Sequence, residues 1–228
     1  MVESMEASPV NGSGPATLAS GHAVQDHDSG LVDAANVPAL GHDEAASMAT
    51  VELDRFLTAL DELSPDDWRL PTVCALWNVQ EIVAHVVGAA ASYARWSEFA
   101  RQWNPRVQWP YRRAGFATLD AINQIQVDDR DGARPDQLIA ELRTVGPRAI
   151  ATRNRVPAAV RAIRMPMPVL GVVPIGYLTD LIYTRDMWVH RLDLARATGR
   201  PMTLTTAHDG RMIAMMMHDL ALALAPRL

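Results

Sequence analysis

Asn78-Val79-Gln80-Glu81 has the spacing of a capping box and opens a long apolar segment. The Asn78 side chain can accept from the Glu81 N–H, and the Glu81 carboxylate can reach back to the Asn78 N–H. Beyond it Ile82, His85, Val86, Ala89, Tyr93 and Trp96 recur at helical spacing, so a helix is predicted over about 78–103, ended by Asn104-Pro105. Strand signals are sparse throughout, which restricts the chain to helices packed on helices.

The remaining elements follow the same reading. Val51, Phe56, Leu57, Leu60 and Leu63 give a first helix over about 43–63, closed by Ser64-Pro65-Asp66-Asp67. An irregular stretch with Pro71 runs from Trp68 to Trp77, and 105–115 reads as a Pro- and Arg-containing loop. Helical patterning returns at Leu119 to about Val127 and from Pro135 to Arg155, with a polar break around Gly132 that leaves open one interrupted element or two. Pro166, Pro168 and Pro174 exclude a regular helix between Arg161 and Pro174. A further helix is expected from about Ile175 to Ala197, stopped by Gly199 and Pro201, then a short extended piece at Met202–Thr205 and a Met-rich helix over Arg211–Ala225. The expectation is an all-α protein: a four-helix bundle over 43–200, an additional C-terminal helical segment over 201–228, and a disordered extension over 1–42, rich in Gly, Ser, Ala, Pro and Asp.

At 228 residues and 49% hydrophobic, the chain can bury one substantial core. The net charge of −5 comes from the extension, which holds Glu3, Glu6, Asp26, Asp28 and Asp33 and no basic residue; from residue 43 on, 21 acidic residues balance 21 basic ones. All the basic residues are Arg. No nucleic-acid footprint stands out. The single cysteine, Cys74, excludes an internal disulfide and a Cys-based zinc cluster. With no signal-peptide pattern and no apolar run approaching ~20 residues, a cytoplasmic protein with no membrane span is expected.

The chemistry concentrates in Arg185-Asp186-Met187-Trp188-Val189-His190-Arg191-Leu192-Asp193. Asp186 and His190 stand one helical turn apart on one face, and His85 is an imidazole in the apolar run Val83-Ala84-His85-Val86-Val87. Two imidazoles and a carboxylate suffice to hold a divalent transition metal with coordination positions left open, if the two helices face each other. Each residue also has a plainer reading: His85 as a satisfied core histidine, Asp186 and His190 as a surface pair. Asp193 either orients a ligand imidazole or is a solvated or Arg-paired carboxylate. Cys74 reads as a small buried residue rather than a redox thiol. Arg148, Arg153, Arg155, Arg161 and Arg164 read as a solvated face, with carboxylate binding the alternative. Met212, Met215, Met216 and Met217 read as core or dimer contact; His208 and His218 as structural or exposed; His22, His27 and His42 as tail residues in solvent.

Leu70-Pro71-Thr72-Val73-Cys74-Ala75-Leu76-Trp77-Asn78-Val79-Gln80-Glu81-Ile82-Val83-Ala84-His85, joined to Arg185-Asp186-x-x-x-His190-Arg191-x-Asp193, resembles the N-terminal metal-binding domain of the mycothiol-dependent maleylpyruvate isomerase family, within the DinB-like superfamily of four-helix bundles. The resemblance covers about 45–200. The family's ligands, a histidine on the second helix and a Glu-x-x-x-His pair on the last bundle helix, map to His85, Asp186 and His190. The resemblance implies zinc, with water in the open coordination, and a thiol-dependent transferase or isomerase in which the metal activates mycothiol toward a small electrophilic substrate. Arg-only usage suits a GC-rich actinobacterial source, where mycothiol is made.

The chain departs from the family in three places. Asp186 stands where the family has glutamate, Cys74-Ala75-Leu76-Trp77 where it has Cys-Pro-Gly-Trp, and Asp209-Gly210-Arg211 lies where two-domain members begin a second domain. A metal- or ligand-binding module without turnover, as in a sensor or stress protein, and a metal-free structural bundle are the competing classes. Whether the last helix pairs two copies into a homodimer is left open by the sequence.

Overall fold

The computed structural model describes residues 34–167 and 171–224. Helix α1 (His42–Asp61) begins with Glu44 accepting from the Gly41 N–H at 3.2 Å. Helix α2 (Val79–Ala94) opens on the expected box: Asn78 Oδ1 accepts from the Glu81 N–H at 3.0 Å, and Glu81 Oε2 from the Asn78 N–H at 2.7 Å.

Two expectations fail next. Helix α2 does not reach Trp103. Arg95 turns extended (φ −143°, ψ 116°) and the chain resumes as α3 (Trp96–Gln102), leaving Trp96 79% exposed instead of on the buried face. No Gly or Pro marks this break. It is a tertiary choice that carries Gln102 back to the Gly88 carbonyl, to which its side-chain amide donates at 3.2 Å. The stretch read as a loop is helix α4 (Pro105–Arg113). Asn104 accepts from the Arg106 N–H at 2.9 Å and Pro105 fits the first turn, so the pair that ends one helix starts the next.

Helices α5 (Thr118–Asp128) and α6 (Pro135–Asn154) are separate elements. A short α7 (Ala158–Arg161) leads into a hairpin of β1 (Arg164–Met167) and β2 (Gly171–Pro174), antiparallel with Met165 opposite Val173. The proline-rich stretch barred from a helix thus pairs its backbone in the other available way. A π-helical turn (Tyr177–Ile182) runs into α8 (Tyr183–Thr198), which Gly199 ends in the left-handed conformation (φ 68°). A second π-turn (Thr206–Gly210) precedes α9 (Arg211–Leu224).

Helices α1, α6, α2 and α8 form the bundle, each packed on its two neighbours in that cyclic order. Phe56, Leu60, Ile82, Val83, Leu142 and Val145 fill its centre. The fold is the expected all-α, DinB-like four-helix bundle with an additional C-terminal helix. Helix α5 lies against the outer side of α2, at the one point where α2 has no side chain: a Cβ on Gly88 would stand 2.5 Å from Gln126 Cβ. A second cluster, Met48, Leu181, Trp188, Met212 and Met215, joins α9 to the bundle. The expected disorder of residues 1–33 lies outside the described residues. The end of that extension does not run free, because Val37 and Leu40 pack on the second cluster and the Ala34 carbonyl bonds His218 Nδ1 at 3.0 Å. No helix among the described residues is long and apolar enough to cross a membrane.

Beside the metal-type residues α8 carries a buried charge network. Arg191 donates to Glu52 on α1 at 2.7 and 3.0 Å and to Asp209 at 2.8 Å; His208 Nε2 meets Glu52 at 2.8 Å, and Trp188 donates to Asp209 at 2.9 Å.

Candidate metal centre

Facing helices α2 and α8 bring His85, Asp186 and His190 together, with one ligand atom from each lying within 4.8 Å of the other two. His85 Nε2 is 3.1 Å from Asp186 Oδ2 and His190 Nε2 is 3.6 Å from Asp186 Oδ1. The two imidazoles meet edge to face, centroids 5.1 Å apart. His85 and His190 are buried and Asp186 is partly exposed, on the side where a cavity of about 530 Å3 opens.

The outer nitrogen of each ring is held. His190 Nδ1 meets Asp193 Oδ2 at 3.0 Å, and His85 Nδ1 meets Gln126 Oε1 at 2.8 Å. The sense of the second bond is fixed by a relay that starts at a backbone carbonyl. Gly88 C=O can only accept, so Gln102 Nε2 donates to it, and Gln102 Oε1 becomes an acceptor. Gln126 Nε2 donates to that oxygen at 2.8 Å, which turns Gln126 Oε1 toward His85. His85 must then donate from Nδ1, leaving the Nε2 lone pair facing the carboxylate. Asp193, an acceptor when ionised, does the same for His190. His85 Nε2, His190 Nε2 and the Asp186 carboxylate thus converge on one point, as the ligands of a divalent ion would.

The protein's own electrostatics couple the carboxylate to the imidazoles. Burial by itself would push the Asp186 carboxyl up, but His85, His190 and Arg185 outweigh it and hold it below the usual carboxylate range. Burial opposes charge on His190, yet the Asp193 hydrogen bond and the Asp186 charge raise its pKa. Trp77 stacks on His85 (centroids 5.1 Å, 29° between planes), and its indole N–H is held by Gln124 Oε1 at 3.1 Å. Gln124 is in turn held by Asp128 at 2.7 Å.

Of the other sequence candidates, Asp193 orients His190, and half-buried Cys74 lines the cavity beside Trp77. The five arginines do not form one face. Arg153 is buried over Tyr183 and donates to the Thr179 carbonyl at 3.1 Å, Arg161 pairs with Asp180 at 2.6 Å, and Arg148, Arg155 and Arg164 are exposed. His42 is no tail residue in solvent: it opens α1 and meets Asp180 at 3.1 Å. His208 and His218 are structural; Met212 and Met215 are core while Met217 is exposed. Sequence reasoning missed Gln126, Gln102 and Gln124. The available signal was an amide between Ile125 and Val127 on the buried side of α5.

The model of the mycothiol maleylpyruvate isomerase N-terminal domain family matches residues 49–195, a span that holds both ligand helices. The chain belongs to this family. Two solved structures share the fold, both of the mycothiol-dependent maleylpyruvate isomerase, one of them a mutant; each aligns at a TM-score of 0.54 and 12% identity over 82% of this chain and 70% of the other. No curated protein sequence matches. In this family member the fold places the His–Asp–His group where α2 and α8 face each other.

Proposed function

We propose that the chain binds a divalent metal, zinc the leading candidate, through His85, Asp186 and His190, and that it is a mycothiol-dependent transferase or isomerase acting on a small electrophile. The observation that carries this reading is the orientation of the two imidazoles. Each has its Nδ1 engaged by an outer acceptor and turns its Nε2 inward, toward Asp186. The aspartate in place of glutamate fits, because its two oxygens face the two Nε2 atoms at 3.1 and 3.6 Å.

A bound divalent ion would supply a Lewis acid that favours the thiolate form of a thiol at neutral pH. The protein's own residues do the rest. Gln126 and Asp193 hold the ligand rings in one tautomer. Trp77 covers the face of His85 and keeps water from that side. The cavity walls position the reactants over the triad.

Metal analysis of the full chain beside the His85→Ala/His190→Ala variant tests the reading. About one equivalent in the wild type, lost in the variant together with thiol-dependent turnover of an electrophile panel, is the expected result. Metal without turnover would leave a binding module. No metal after zinc loading would leave an ion-paired structural bundle.

A further inference from the structure

The cavity over the triad has walls of two kinds. One is apolar: Leu76, Trp77 and Phe116, with Leu76 left 71% exposed at the mouth where the family pattern has glycine. The other is polar and acidic. Asp120, Asn123 and Gln124 stand at i, i+3 and i+4 on α5, so they line the cavity from one helical face. Gln124 is committed to Trp77 and Asp128, whereas Asp120 is exposed.

Among the described residues no arginine lines this cavity, and the chain has no lysine. Of the two arginines before the lining residues Ala114 and Gly115, Arg112 turns its guanidinium to the Phe116 carbonyl at 2.9 Å, and Arg113 is exposed and not part of the lining. Recognition of carboxylates rests on guanidinium or ammonium donors. An anion entering here would meet Asp120 and Asp186, with the imidazoles of His85 and His190 already engaged by Asp186, Gln126 and Asp193. A single divalent ion would be largely neutralised by Asp186 and by a thiolate bound beside it.

We propose that the ligand of this cavity is an uncharged small molecule, not a dicarboxylate, with an aromatic or aliphatic body packed on Leu76, Trp77 and Phe116 and a hydroxyl or amide donor directed to Asp120 and Asn123. The proposal rests on the reading above in taking this ligand as the electrophile.

The test compares two probes with one body, 4-nitrobenzyl alcohol and 4-nitrobenzoate, by titration calorimetry on the full chain, both metal-free and zinc-loaded with the uncharged thiol 2-mercaptoethanol present. The alcohol should bind at least about fivefold more tightly, a modest factor because Asp120 is solvent-screened. Asp120→Asn should narrow that ratio. Leu76→Gly should weaken the alcohol by about threefold to tenfold, from lost apolar contact. Equal or tighter binding of the benzoate, or dissociation constants that neither substitution moves, would overturn the proposal. The two readings fail separately. Absence of thiol turnover with the preference intact removes the enzyme and keeps the ligand class. Turnover of an anionic electrophile in preference to its ester keeps the enzyme and removes the ligand class.

Discussion

Gln126 Oε1 accepts the Nδ1 proton of His85 at 2.8 Å, and that bond decides which nitrogen of His85 faces Asp186. The acceptor stands on α5, outside the four-helix bundle. The geometry of the candidate centre therefore depends on a helix that contributes no ligand to it.

Replacing Gln126 by Leu removes the acceptor while leaving all three ligands in place. Zinc affinity should fall by about 10- to 100-fold, the usual cost of losing an outer hydrogen bond to a metal-bound imidazole. Competition against a chromophoric chelator measures it. Gln126→Glu keeps an acceptor and should retain most of the affinity; equal losses in the two variants would show that the bond direction is irrelevant.

The α2–α5 contact is closed at Gly88, where an added Cβ would lie 2.5 Å from Gln126 Cβ and 2.7 Å from its Cγ. Gly88→Ala must push α5 outward. A loss of about 1–3 kcal/mol is expected, in the range for overpacking, against a small gain from helix propensity. Because the displaced residue is Gln126, zinc affinity should fall together with the denaturation midpoint. A stability loss with unchanged affinity would mean that the helix shifts as a unit and takes the relay with it.

Arg191 bridges Glu52 and Asp209, all three buried. Arg191→Met leaves Glu52 with only the His208 imidazole and Asp209 with Arg55, and should cost about 3 kcal/mol in chemical denaturation. Glu52→Gln on top of Arg191→Met should recover part of that loss. An additive double mutant would show that the pair is not coupled.

The bundle was legible because its four helices carry strong local signals: the Asn78–Glu81 box, the Val51–Leu63 stripe and the Gly199 stop. The three candidate ligands were legible for a related reason: an imidazole in an apolar run and an i,i+4 Asp–His pair stand out against their neighbours. What was not legible depended on contacts distant in sequence. Arg95 breaks α2 with no breaker residue, because Gln102 finds the Gly88 carbonyl. Gln126 looks like any polar residue of an amphipathic helix until α5 is laid against α2. Pro105 misled in a different way, since Asn-Pro both stops one helix and caps the next.

The acid limb of stability should carry the signature of Asp209. Burial by itself would push its carboxyl up, but the Thr205 N–H, Trp188, Arg191 and Arg55 outweigh it and hold the group well below the usual carboxylate range. In the unfolded chain it titrates near its ordinary value of about 4. The folded state therefore binds fewer protons as pH falls through that range, so the contribution is complete above about pH 4 and is lost as pH drops toward the depressed folded value. Asp209→Asn cannot titrate. Urea unfolding from pH 6 to 2.5 should show wild type and variant separated by a constant amount above about pH 5 and converging below about pH 4. Parallel curves down to pH 2.5 would mean that Asp209 titrates alike in the folded and unfolded chain, and that the four donors around it do not favour its charged form.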